Sequence, residues 1–101
     1  MNQAANVLTV ANTIAEQIGS RAFFMMGTRQ KWGDADSLRF DIRGSVRGNK
    51  VVVTLDASDT YTVQLFKTRG LASRLVVENS GVYNDGLRQV IEGMTGLALS
   101  L

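Results

Sequence analysis

The chemistry open to this chain is limited first by what it lacks: neither histidine nor cysteine occurs in its 101 residues. Structural zinc sites draw on Cys and His, serine and cysteine triads need an imidazole base, and His is the usual proton carrier near neutral pH. Disulfides and thiolate nucleophiles are excluded as well. What remains for catalysis is carboxylate, Lys or Tyr chemistry, or a hard cation held by oxygen. Two acidic clusters come closest, Asp34-Ala35-Asp36 and Asp56-Ala57-Ser58-Asp59. Neither has the ligand spacing of a calcium loop, and Asp is favoured in turns because its side chain hydrogen-bonds nearby backbone. The ten glycines are scattered singly, so no loop cradles a phosphate. The sequence predicts no catalytic residue, no metal site and no cofactor.

Binding chemistry is better represented. The net charge is only +2, but between Arg21 and Lys50 seven basic residues (Arg21, Arg29, Lys31, Arg39, Arg43, Arg47, Lys50) face three acids. Lys67 to Arg74 adds three more cations without an acid. Arg39 and Arg43 are expected to point the same way from one strand, and Lys67 and Arg69 end another. If Tyr61, Val63 and Leu65 face inward, Phe66 faces outward beside Gln64. A basic surface with an exposed aromatic contacts phosphates through Arg and stacks a base on the ring. The segment Arg29-Gln30-Lys31-Trp32-Gly33 joins two cations to the only Trp, which suits nucleic acid or a protein hot spot. The candidate binding set is therefore Arg29, Lys31, Trp32, Arg39, Arg43, Phe66, Lys67 and Arg69. The plainer alternative is a solvated sheet surface, with Phe66 under a loop or a second subunit and Trp32 folded over the core edge. The aromatic motif of RNA-binding sheets is missing.

These residues must be positioned by secondary structure. Val7, Ala11, Ile14 and Ile18 recur at helical spacing, with Leu8 and Ala15 widening the stripe, and predict a helix over 4–18. Asn2 or Asn6 can cap its start and Gly19 its end. The apolar run Ala22-Phe23-Phe24-Met25-Met26 is short for a helix and is expected to be a buried strand. Residues 28–37 are expected to form a loop or an extended hairpin tip. Leu38, Phe40 and Ile42 alternate with Arg39, Asp41 and Arg43, the period of a half-buried strand. Further strands are expected at 51–55, 61–66 and 71–77. Asn79 or Ser80 then caps a second helix carrying Tyr83, Leu87, Val90, Ile91 and Met94, and Gly96 stops it. The tail Leu97 to Leu101 is expected to pack down. The order helix, meander, helix predicts one α+β domain over 1–101, a two-layer fold. Its sheet has four or five antiparallel strands, with the N- and C-terminal helices packed on one face.

No stretch approaches the ~20 apolar residues of a membrane span, and Met1 to Ser20 lacks the basic start and cleavage site of a signal peptide. A cytoplasmic location in a bacterial host is expected, with no membrane partner. Thr13 to Ile18 (TIAEQI), Arg21 to Arg29 (RAFFMMGTR), Ser58 to Val63 (SDTYTV) and Glu78 to Leu97 (ENSGVYNDGLRQVIEGMTGL) together resemble short proteins of bacteriophages and mobile genetic elements. That resemblance implies a phage-like setting, in which nucleic acid or a host nucleic-acid-handling complex is the expected partner. It assigns no residue roles. The expected function is non-enzymatic binding through a basic sheet face. The alternatives are an inhibitor of host defence, such as one acting on a CRISPR effector by protein contact, and an assembly protein forming a homodimer.

Overall fold

Alternation of apolar and polar residues builds the central element, a five-stranded antiparallel sheet in sequential order. Its strands are β1 (Arg29–Gly33), β2 (Ser37–Asp41), β3 (Lys50–Leu55), β4 (Tyr61–Arg69) and β5 (Ala72–Val82). Among the described residues, two N-terminal helices, α1 (Thr9–Ile18) and α2 (Ser20–Met26), and one C-terminal helix, α3 (Leu87–Thr95), pack against it. The fold is α+β, as the element order predicts. The computed structural model describes residues 9–99; the predicted start of the first helix, with Val7, Leu8 and the capping asparagines, and the last two residues of the tail lie outside them.

The core sits between the helices and the inward rows of the sheet. Phe40, Val53, Val63 and Leu65 contribute no exposed surface from the strands, nor do Ile14, Ile18, Met26 and Leu87 from the helices. Phe40 meets Phe23 edge-to-face, with ring centroids 5.1 Å apart. The register Leu38↔Val53↔Val63 and Phe40↔Val51↔Leu65 lines these residues up across three strands. Gly96 ends α3 at φ 77°, with its N–H bonded to Glu92 O. The tail then folds back, and the Leu99 N–H donates to Glu92 Oε2 at 2.6 Å, as the packed-down tail requires.

Two local expectations are corrected. The run Ala22–Met26 is helical, not a strand: Ala22, Phe23 and Met26 are buried while Phe24 is 86% exposed, which is one face of a helix. Gly19, at φ 94°, ends α1 and lets the chain turn straight into α2. Gly27, at φ 61°, then closes α2 in a Schellman motif, with Gly27 N–H to Phe24 O and Thr28 N–H to Phe23 O. Asn79 and Ser80 cap no helix either. They belong to β5, which runs on to Val82 because its backbone stays paired with β4, Val63↔Asn79 and Tyr61↔Val82. Tyr83 is exposed, and α3 begins only after a 3₁₀ turn at Asn84–Gly86.

Candidate nucleic-acid interface

The helix-free face of the sheet presents two cross-strand rows. One is Trp32↔Arg39↔Val52↔Gln64↔Glu78, and the other is Arg29↔Asp41↔Lys50↔Phe66↔Leu75. Trp32 is 62% exposed at the β1 edge, and Phe66 is half-buried beside Leu75. Trp32 therefore does not fold over the core edge. The charges on this face are largely balanced. Arg39 Nη2 lies 3.4 Å from Asp34 Oδ2, Lys50 Nζ 2.7 Å from Asp41 Oδ1, and Gln64 Nε2 donates to Glu78 Oε1 at 2.8 Å. Arg39 is thus held by an acid from the neighbouring turn, a pairing that strand alternation does not reveal. Exposed pairs of this kind contribute about 0–1 kcal/mol to stability, but they neutralise a local field.

The unbalanced charge lies at one end of the sheet. In a sequential meander, alternate connections stack at opposite ends. The β1–β2 and β3–β4 turns, together with the exit from β5, gather Asp34, Asp36, Asp56, Asp59 and Asp85 at one end. At the other end are the start of β1, the β2–β3 connection and the β4–β5 turn. Arg29, Arg43, Arg47, Lys50, Lys67, Arg69 and Arg74 gather there, seven of the chain's eleven cations, and the only carboxylate on the strands and turns beside them is Asp41.

Local structure fixes this basic end. The Arg43 N–H donates to Met26 O at 2.8 Å, tying the start of the β2–β3 connection to α2. The same connection is anchored to the C-terminus of α3 by Ser45 Oγ donating to Thr95 O at 2.7 Å and Arg47 Nη1 donating to Gly93 O at 2.8 Å. Cations at a helix C-terminus also complement its dipole. Arg29 and Arg43 line one depression together with Gln30, Asp41, Ile42, Asn49 and Thr68, so one carboxylate lies between these cations. Lys67 Nζ reaches Val46 O at 3.3 Å. Arg29, Arg43, Arg69 and Arg74 are exposed, and their side chains have no hydrogen-bond or ion-pair partner among the described residues.

Of the predicted set, the structure brings Arg29, Arg43, Lys67 and Arg69 to this end, with Phe66 at its margin. It places Trp32 and Arg39 on the open face. Lys31 stands apart: its ammonium sits 4.5 Å from the centroid of the Phe23 ring, on the helix side. Arg47 and Arg74 join the cluster although alternation did not single them out; the two-residue spacing around Gly70 is the signal that marks a tight basic hairpin. No three acidic, His or Cys side chains among the described residues converge on a metal-sized site. No helix among those residues is long and apolar enough to cross a membrane. Comparison with protein-family models, curated proteins and solved structures finds no match to this chain.

Proposed function

We propose that this chain is a non-enzymatic nucleic-acid-binding protein that holds phosphates with the basic end of its sheet. One observation carries the reading: seven cations converge at that end, four of them without a partner inside the described chain, while the acids gather at the opposite end. Cations so exposed do little for stability and are available to phosphates, whose neutralisation releases counterions. Phe66 and Trp32 add aromatic surface on the adjoining face for base stacking. The resemblance to short phage and mobile-element proteins fits a chain that works on nucleic acid, directly or within a host complex.

The test is a titration of labelled single- and double-stranded DNA and RNA at low salt, followed by the same titration at rising salt. Binding that weakens steeply with salt supports the reading, and absence of binding to all four at low salt refutes it. A second reading, a homodimer, rests on β5: it is an eleven-residue edge strand that exposes Leu75 and Val76. Sedimentation at micromolar concentration distinguishes the two, because edge pairing through apolar residues persists in high salt.

A further inference from the structure

The hairpin of β4 and β5 is longer than the sheet that supports it. The last rung shared with β3 is Lys50↔Phe66. Beyond it, Lys67↔Arg74, Thr68↔Ser73 and Arg69↔Ala72 continue as a two-stranded ribbon. Gly70, at φ 60°, takes the first position of the two-residue turn, as a type II′ hairpin requires, and this keeps the tip narrow. Leu71, the second turn residue, is fully exposed.

The ribbon is also held firmly at its root. Where β3 ends, the Asn49 side chain substitutes for the missing rung: Oδ1 accepts from Thr68 N–H at 2.8 Å and from Thr68 Oγ1 at 3.1 Å, and Nδ2 donates to Thr68 O at 3.0 Å. Cross-strand pairs share a face, so Lys67, Arg69 and Arg74 lie on one side of the ribbon, with Phe66, Thr68, Ser73 and Leu75 on the other. The result is a narrow, rigid projection with one basic flank and an apolar tip.

We propose that this arm enters the major groove of duplex DNA tip first. Its basic flank rests on phosphates, and Leu71 meets the base edges, where thymine methyls are the apolar partners. The proposal rests on the nucleic-acid reading above and narrows it to one ligand. A B-DNA major groove about 12 Å wide and 8.5 Å deep admits a two-stranded ribbon. Past the Asn49–Thr68 bridge, Arg69 and Gly70 at about 3.3 Å each give roughly 7 Å of free ribbon, and the exposed Leu71 side chain at its tip extends it toward the groove floor. The deep, narrow major groove of an RNA duplex excludes such an arm.

The experiment uses the full chain and its Leu71→Ala variant. Both are titrated against an alternating A·T DNA duplex, the same duplex with deoxyuridine in place of thymine, an RNA duplex and single strands. Dimethyl sulfate protection of guanine N7 is read on a mixed-sequence duplex. The expected results are preference for duplex DNA, protected N7 positions, and weaker binding when the methyl is removed. Leu71→Ala should lose roughly tenfold in affinity for the A·T duplex without changing the salt slope, and should no longer distinguish thymine from deoxyuridine. Its melting temperature should match the wild type, because Leu71 touches no core residue. Duplex binding with N7 still reactive, wild-type affinity in Leu71→Ala, or preference for RNA or single strands overturns the arm while leaving the nucleic-acid reading intact. Failure to bind any nucleic acid at low salt removes both.

Discussion

Neutralising the arm gives the sharpest measure of how the basic end works. In the variant Lys67→Gln/Arg69→Gln/Arg74→Gln, three cations disappear and the paired backbone stays. If the wild type engages duplex DNA through Arg29, Arg43, Arg47 and these three, the slope of log affinity against log salt is about −5, at roughly 0.9 per contact. Between 50 and 200 mM salt that amounts to a loss of about a thousandfold. The variant keeps half of the contacts, so its slope should fall to about −3 and its loss over the same range to roughly fortyfold. All three side chains are exposed, so each substitution should move stability by less than about 0.5 kcal/mol. Fluorescence anisotropy with a labelled duplex at five or six salt concentrations measures the slopes, and a thermal melt checks the fold. Arg39→Gln is the internal control. Its guanidinium is already shared with Asp34, so the slope should change by well under one contact. A triple variant that keeps the wild-type slope, or an Arg39→Gln variant that flattens it as much, would show that the basic end is not where phosphate binds.

Three further outcomes follow from the same geometry. Phe40→Ala empties a site with no solvent exposure and an edge-to-face partner, and should cost about 3–5 kcal/mol in denaturant melts, against under about 1 kcal/mol for Asp41→Ala on the opposite face; reversed sensitivities would mean the strand is read one residue out of register. Gly48→Ala would place a methyl 2.7 Å from Leu65 Cγ and 2.8 Å from the Phe66 carbonyl oxygen, and should destabilise by about 1–3 kcal/mol; an unchanged melt would show that the β2–β3 connection gives way there. Hydrolase, nuclease and transferase assays should stay at background, since the chain holds neither His nor Cys; divalent-dependent cleavage abolished by Asp34→Ala or Asp56→Ala would reverse that.

The parts of the fold that the sequence reveals are those where burial writes a period. Ile14 and Ile18 on α1, Phe40 on β2, and Tyr61, Val63 and Leu65 on β4 all lie on the faces their spacing assigns. The misread segments have no such period. Ala22–Met26 spans under two helical turns, too short for an apolar run to show whether it repeats at two or at 3.6. The long edge strand β5 buries only Val82, so its sequence carries no inward row, and the Asn, Ser and Gly near its end look like a helix start. Where the candidate residues would meet was half legible for a related reason. Alternation tells which face a side chain leaves from, but the partner that meets it comes from another turn, as Asp34 meets Arg39. Gathering Arg29, Arg43, Lys67, Arg69 and Arg74 needs the strand order, which no local window contains.

The two ends of the sheet differ in why their charges are there. At the acidic end, local structure accounts for three of the aspartates. Ser37 Oγ donates to Asp34 Oδ2 at 3.3 Å, Thr62 Oγ1 donates to Asp56 Oδ2 at 2.7 Å, and Asp59 takes the left-handed turn conformation at φ 65°. Asp is favoured in such turns whatever the protein does. At the basic end, the turn conformations are carried by other residues: Gly44 at φ 85°, Gly70 at φ 60°, Gly48 where no side chain fits, and Asn49 bridging to Thr68. Arg47 earns its place by holding the connection to α3, and Lys67 reaches a carbonyl. Arg43, Arg69 and Arg74 do neither with their side chains, and nothing in the fold requires a cation at those positions. Their mutual repulsion is a cost that a neutral polar residue would avoid. A ligand with a high density of negative charge would offset that cost, and this is why the arm, more than the open face with its balanced ion pairs, is the place to test the proposed function.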